Sequence, residues 1–230
     1  MDRYYCRFIH SVPFWREGHA DCDLHWHVLP ECCYEEADRA FWRGAEPVRI
    51  HGVETKTLNP TDQILHACVH GARWNEVPPL RWIADTIVIL ESAGHEVEWD
   101  RLVREAVEGR LVLPLREALG YLVKLLAAPV PATMLEELDN ARVTLIQRME
   151  YRVRTARPGL TGFLPEATLR HLTYYRGSRL SRLATLPRAY QYTWELESLW
   201  QVPQYAVFKS VGRAVRRLAS RRAGSGTARR

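Results

Sequence analysis

The sequence predicts an α+β chain in which a small N-terminal antiparallel β-sheet is followed by a mainly α-helical body. Three observations lead there. Residues 19–28 alternate polar His19, Asp21, Asp23, His25 and His27 with apolar Ala20, Cys22, Leu24, Trp26 and Val28, and a period of two is the strand period. From Asn59 onward apolar residues recur three and four positions apart, the period of a helix. A length of 230 residues with 47% hydrophobic content is enough to fill a core.

In order along the chain, residues 3–28 predict a β-hairpin: Tyr4 to Trp15 is rich in aromatic and β-branched residues, Glu17-Gly18 supplies a turn, and the alternating strand follows. Such a strand buries its apolar face. Pro30 ends it, and Glu31 to Trp42 predicts a short acidic helix with Phe41 and Trp42 turned inward. Pro47 to Leu58 predicts a second β-ribbon around a two-residue turn at His51-Gly52. Asn59 can cap a helix whose first position suits Pro60, with Ile64, Leu65, Cys68, Val69 and Ala72 as the buried stripe and Asp62, His66, His70 and Arg73 opposite. After a Pro78-Pro79 break, a helix to Glu91 turns Leu80, Ile83, Ala84, Ile87 and Leu90 inward, and Gly94 lies beyond its end.

Further helices are expected over Asp100 to Glu108, closed by Gly109, and over Pro114 to Leu126 with Leu115, Leu119, Leu122 and Leu126 on one side. Two more follow near Thr133 to Leu138 and Asn140 to Thr155. Arg157-Pro158-Gly159 marks the boundary at which composition turns basic. The organisation is therefore a β-sheet region over 1–58, a helical domain over 59–157 and a basic helical region over 158–230, frayed from Arg221 onward.

The formal charge of +5 conceals two halves of opposite sign, since residues 170–230 hold 13 Lys+Arg against 2 Asp+Glu and the preceding residues 19 against 25. Tyr205 to Arg222 predicts a basic amphipathic helix. Its apolar side, Phe208, Val211, Val215 and Leu218, is expected to dock on the bundle; contact of this tail with an anionic membrane surface or with nucleic acid is the less favoured use. Five cysteines without a Cys-x-x-Cys pair, and no apolar run after a basic start, read as a reduced, cytoplasmic protein. No segment approaches the roughly 20 apolar residues of a spanning helix.

Carboxylates and imidazoles alternating on one strand face can hold a metal ion. Asp23, in mid-strand between Cys22 and Leu24, suits a hard cation such as magnesium, with Asp21 as a lesser candidate. Alternation alone would equally give a solvated strand face. His25 and His27 with Cys32 and Cys33 offer ligands that zinc accepts, although adjacent cysteines rarely share one closed site. His66 and His70 share a helix face, but Ala67 stands where a His-Glu-x-x-His hydrolase needs glutamate. Arg73 offers a fork for phosphate, and Arg81 and Asp85 are spaced to pair. No Ser-His-Asp arrangement, phosphate-cradling Gly-rich loop or zinc ribbon is present, and the tryptophans read as packing residues rather than a base-stacking platform.

Asp23-Leu24-His25-Trp26 resembles a segment of an uncharacterised bacterial nucleotidyltransferase family with the polymerase-β-like fold. Leu58 to His66 with Val69 to Trp74, then Leu80 to Asp85 and Glu98-Trp99-Asp100, are similar to its following segments; the likeness runs from about Phe14 to about Pro131 and is weaker at Trp200 to Pro203. The resemblance implies magnesium-dependent nucleotidyl transfer from a nucleoside triphosphate to an acceptor, with Asp23 as the third of three carboxylates. It implies that His25, His66, His70, Arg73, Arg81 and Asp85 face the substrate cleft. The first two carboxylates belong to a Gly-Ser turn followed by Asp-x-Asp on the preceding strand. Gly177-Ser178 and Gly224-Ser225 lie after Asp23 and neither is followed by Asp-x-Asp, so the chain reads as the C-terminal portion of a longer enzyme or as one whose missing half is a separate chain. The reading from another class is a non-catalytic interaction module that binds a partner protein or anionic surface through its sheet edge and basic C-terminal helix.

Overall fold

Glycine and proline punctuate the first third of the chain and yield two separate hairpins rather than one sheet. The structure, a computed structural model, describes residues 5–18, 21–72, 80–156 and 163–212. After a 3₁₀ turn at Tyr5–Arg7, β1 (Ser11–Phe14) pairs antiparallel with β2 (Cys22–His25), Ser11 opposite His25 and Phe14 opposite Cys22. The strand predicted over residues 19–28 is thus only four residues long among those described. Contrary to expectation its residues are all exposed, and among the described residues β2 pairs with β1 alone. Past it, Trp26 and His27 turn inward: the Trp26 indole donates to the Ile9 carbonyl at 2.8 Å.

His27 fastens this corner. Its Nδ1 lies 2.8 Å from Asp38 Oδ2 and its Nε2 2.5 Å from the Cys6 carbonyl. Both nitrogens face acceptors, which suits the imidazolium. Burial opposes that charge, but the Asp38 and Cys6 hydrogen bonds and the Asp38 charge outweigh it, and the pKa lies above the ordinary histidine value.

Asp38 belongs to α1 (Glu35–Gly44), whose first turn carries Glu35, Glu36 and Asp38 and whose last carries Arg43, as the helix dipole favours. Glu31 to Tyr34 do not join it. Ala37 and Phe41, four apart, are buried, while Trp42, expected inward, is a hundred degrees further round and exposed. β3 (Glu46–Ile50) and β4 (Val53–Thr57) form the second hairpin, with His51 at φ 48° and Gly52 at φ 83° giving a turn of the primed kind.

The helical body is built on α2 (Pro60–Gly71), which packs against α3 (Arg81–Ala93), α4 (Trp99–Gly109) and α5 (Val112–Leu126). Asn59 caps α2 as expected, its Oδ1 accepting from the Asp62 N–H at 3.0 Å. Ile64, Leu65, Leu102, Leu111, Leu115, Leu119 and Leu122 are fully buried between these helices. α2 and α3 approach so closely that a Cβ on Gly71 would stand 2.2 Å from the Trp82 ring. Of the residues expected inward on α3, Leu90 is buried but Leu80 and Ala84 are exposed, because Thr86 and Leu90 carry the innermost line. α4 closes on Arg110 at φ 61° rather than on Gly109, and Leu126 of α5 is exposed in the final turn.

Asp62 was placed on the polar stripe but is fully buried. Arg101 of α4 donates to both of its oxygens at 2.8 and 2.9 Å, Asn59 Nδ2 donates at 2.9 Å, and Arg101 also reaches Glu105 and Glu98. Gly44, ending α1, has no room for a side chain beside this group: its Cβ would sit 2.4 Å from Asn59 Nδ2.

α6 (Ala132–Asn140) and α7 (Leu145–Thr155) follow, the latter opened by a Thr144/Gln147 capping box. The boundary at 157–159 lies outside the described residues. Beyond it come two helices that the sequence reading did not resolve, α8 (Phe163–Tyr174) and α9 (Arg179–Thr193), and a helical segment over 201–212. They return to the N-terminal region: Phe8 stacks on His171 and Tyr175, and Arg176 lies over the Tyr34 ring. Phe208 and Val211 do not dock on the bundle as expected, since Val202, Tyr205 and Ala206 occupy the inward side. Val215, Leu218 and the tail expected to fray from Arg221 lie outside the described residues, within which no helix is long and apolar enough to cross a membrane.

Arg101→Met leaves the Asp62 carboxylate buried without its counter-charge and is expected to lower unfolding stability by about 3 kcal/mol in urea titrations, most of it recovered in the Asp62→Asn/Arg101→Met double variant. For His27, the folded pKa lies above the unfolded value of about 6.5, so its stabilising contribution is complete below that pH and is lost as pH rises through the folded value. Thermal melts between pH 5 and about 8 should therefore show a fall in stability toward alkaline pH that His27→Gln removes.

Candidate functional site

Because cross-strand partners share a face, the β1–β2 hairpin separates its chemistry cleanly. Val12 opposite Leu24 and Phe14 opposite Cys22 make an apolar side, and Ser11 opposite His25 and Pro13 opposite Asp23 make a polar one. On the polar side His25 Nε2 lies 3.1 Å from Asp23 Oδ2, and the His10 ring meets the His25 ring edge-on at a centroid distance of 5.0 Å. Asp23 thus presents an open carboxylate with an imidazole donor on one oxygen. Asp21, also exposed, stands just before β2 and is spaced to share the side of Asp23.

These groups do not close a metal site by themselves. Among the described residues no three of His, Cys, Asp and Glu gather closely enough to hold an ion. His27, the fourth polar residue of the alternating stretch, is committed to Asp38 and Cys6. The zinc arrangement is not assembled either. His25 faces Asp23, His27 is held by Asp38 and the Cys6 carbonyl, and the Cys33 thiol donates to the Pro30 carbonyl. All five cysteines are free.

The helical candidates stand apart from the hairpin. On α2, the His66 and His70 rings stack at 5.4 Å, His66 half-buried and His70 exposed. Arg73 lies outside the described residues. Arg81 and Asp85 are both exposed on α3 and form no ion pair with each other. Neither Asp23 nor His25 bonds to His66, His70, Arg81 or Asp85. The structure therefore gathers Asp23 with His25 and His10 on the hairpin and stacks His66 on His70 in α2, while Arg81 and Asp85 stand on α3.

A further charged group escaped the sequence reading altogether. Glu31, in the turn before α1, accepts from Arg154 of α7 at 2.8 Å, Arg154 Nε lies 3.7 Å from Glu150, and the Tyr174 hydroxyl donates to Glu150 at 3.1 Å. Burial and the neighbouring Glu31 raise the Glu150 pKa against the pull of Arg154. Beside them lies a cavity of about 70 Å³ lined by Glu31, Arg170, His171 and Tyr174. The Nε2 of His171 faces the Arg182 carbonyl at 2.9 Å, and burial holds its pKa below the ordinary value. No local sequence signal marks this cluster, because Glu31 is 123 positions from its partner Arg154.

Neither a curated protein nor a solved structure matches the chain. A family model described as "Uncharacterised nucleotidyltransferase" matches residues 2–127, which span both hairpins and the helices α1 to α5. Both groups of candidate residues fall within the match. The chain belongs to this uncharacterised nucleotidyltransferase family.

Proposed function

We propose that the chain serves magnesium-dependent transfer of a nucleotidyl group from a nucleoside triphosphate to an acceptor, and that it needs carboxylates from outside its described residues to do so. The single observation that carries this reading is Asp23: an exposed carboxylate on a hairpin strand, held by His25, with no second carboxylate bonded beside it. Transfer at an α-phosphorus requires several oxygen ligands around the ions that bridge the phosphates, and one carboxylate is too few. His25 would orient Asp23 through the 3.1 Å contact. The stacked His66 and His70, with Arg73, Arg81 and Asp85, would contact substrate once a complete cleft is assembled.

The apolar side of the hairpin favours completion by another polypeptide. Phe14 and Leu24 are exposed there, and β2 pairs with β1 alone among the described residues, so a strand of a second chain would gain main-chain partners as well as apolar cover. That feature also favours the second reading, an interaction module that uses this sheet edge and performs no chemistry.

The two readings part in a transfer assay. The purified chain, incubated with magnesium and α-labelled nucleoside triphosphates, is expected to incorporate no label above background. A second polypeptide carrying the Gly-Ser and Asp-x-Asp strand is expected to restore incorporation, and Asp23→Asn to lower it again by about a thousandfold. Incorporation by the chain alone would overturn the requirement for outside carboxylates. Restored activity that survives Asp23→Asn would remove Asp23 from the chemistry, and a stable complex without incorporation would favour the interaction module.

A further inference from the structure

Residues 201–212 form a helical segment with apolar residues on two sides, of which one is turned to the fold. Val202, Tyr205, Ala206 and Lys209 recur at helical spacing on the covered side, where Tyr205 packs against Trp194 at a ring distance of 5.1 Å. Val207, Phe208 and Val211 lie on the opposite side, 63, 73 and 56% exposed. Trp200, in the turn that leads into the segment, is 65% exposed as well. A helix that had only to complete the bundle would carry polar residues there.

Charge identifies what would cover this stripe. From residue 198 to residue 230 the sequence has no Asp or Glu, while Arg213, Arg216, Arg217, Arg221 and Arg222 follow one another within 10 positions. In sequence the spacing of Val207, Phe208 and Val211 recurs at Val215 and Leu218. An apolar stripe joined to a dense run of cations without a carboxylate is the pattern of helices that lie in the headgroup region of anionic bilayers, apolar side down and cations at the phosphates. Duplex nucleic acid would use the cations but has no need of an exposed valine and phenylalanine stripe, because its affinity comes from phosphate contacts.

We propose that the segment beginning at residue 201 binds the surface of an anionic phospholipid bilayer through Val207, Phe208 and Val211, and so places the nucleotidyltransferase-family part of the chain at a membrane. The proposal is independent of the chemistry at Asp23. It differs from a spanning helix, since binding is reversible and weakened by salt.

Co-sedimentation with phosphatidylcholine vesicles, with and without phosphatidylglycerol, tests it with the full chain. Binding is expected only to the vesicles containing phosphatidylglycerol, falling as salt is raised. Phe208→Asp and Val211→Asp should each weaken it by about tenfold while leaving the circular dichroism spectrum unchanged, because both positions are exposed. No binding to either vesicle would overturn the proposal. So would binding that is unchanged in both variants, which would leave charge alone as the cause. A preference for duplex DNA over the anionic vesicles, indifferent to Phe208→Asp, would assign the basic run to nucleic acid instead.

Discussion

Arg101 reaches from α4 to the first turn of α2 and holds both oxygens of a carboxylate that has no access to solvent. Around that bond the two halves of the matched region are joined. Asn59 caps α2, donates to Asp62 and to the Gly44 carbonyl, and stands between the end of β4 and the start of the helical body. Gly44 leaves the space in which Asn59, Arg101 and Asp62 meet. A buried pair of this kind costs solvation for both partners and is strongly destabilising when one of them is removed, and its bonds link the end of α1, the start of α2 and α4. Burial and the neighbouring Glu105 raise the Asp62 pKa, and the two guanidinium bonds oppose them.

The exposed hairpin stands in contrast to that rigid junction. The hairpin brings Asp23, His25 and His10 together, and on its apolar side Phe14 and Leu24 are exposed. A four-residue, two-stranded sheet is marginal alone, and here His27, bonded to Asp38 and the Cys6 carbonyl, and the Trp26 indole tie its base to the body. Asp23 is therefore anchored at one end of its strand and open along the other edge. That combination supports the proposal that the group is completed by another chain.

Much of the fold was legible where its cause is local. The His51-Gly52 turn, the Asn59-Pro60 start of α2 and the buried line of Leu115, Leu119 and Leu122 follow from backbone preferences and helical spacing. What was not legible depends on distant partners. Asp62 looks like a surface residue until Arg101, 39 positions later, is folded beside it, and Glu31 meets Arg154 across 123 positions. On α9 the leucines Leu180 and Leu183 are exposed while Ala189 and Tyr192 are buried, so the usual apolar stripe does not mark that helix. The segment over 201–212 shows the same limit in another form. Its amphipathic period is plain in sequence, but with apolar residues on two sides only packing against Trp194 decides which one is turned inward.

At the candidate site the sequence placed Asp23 on a strand beside His25, and the structure brings these two together with His10, a neighbour that strand pairing supplies and spacing alone does not. Our central proposal is that this carboxylate belongs to an incomplete set. Calorimetric titration of the purified chain with each magnesium–nucleoside triphosphate measures that most directly. The account predicts no saturable binding; saturable, magnesium-dependent binding that disappears in Asp23→Asn would contradict it by showing that the chain assembles its site alone.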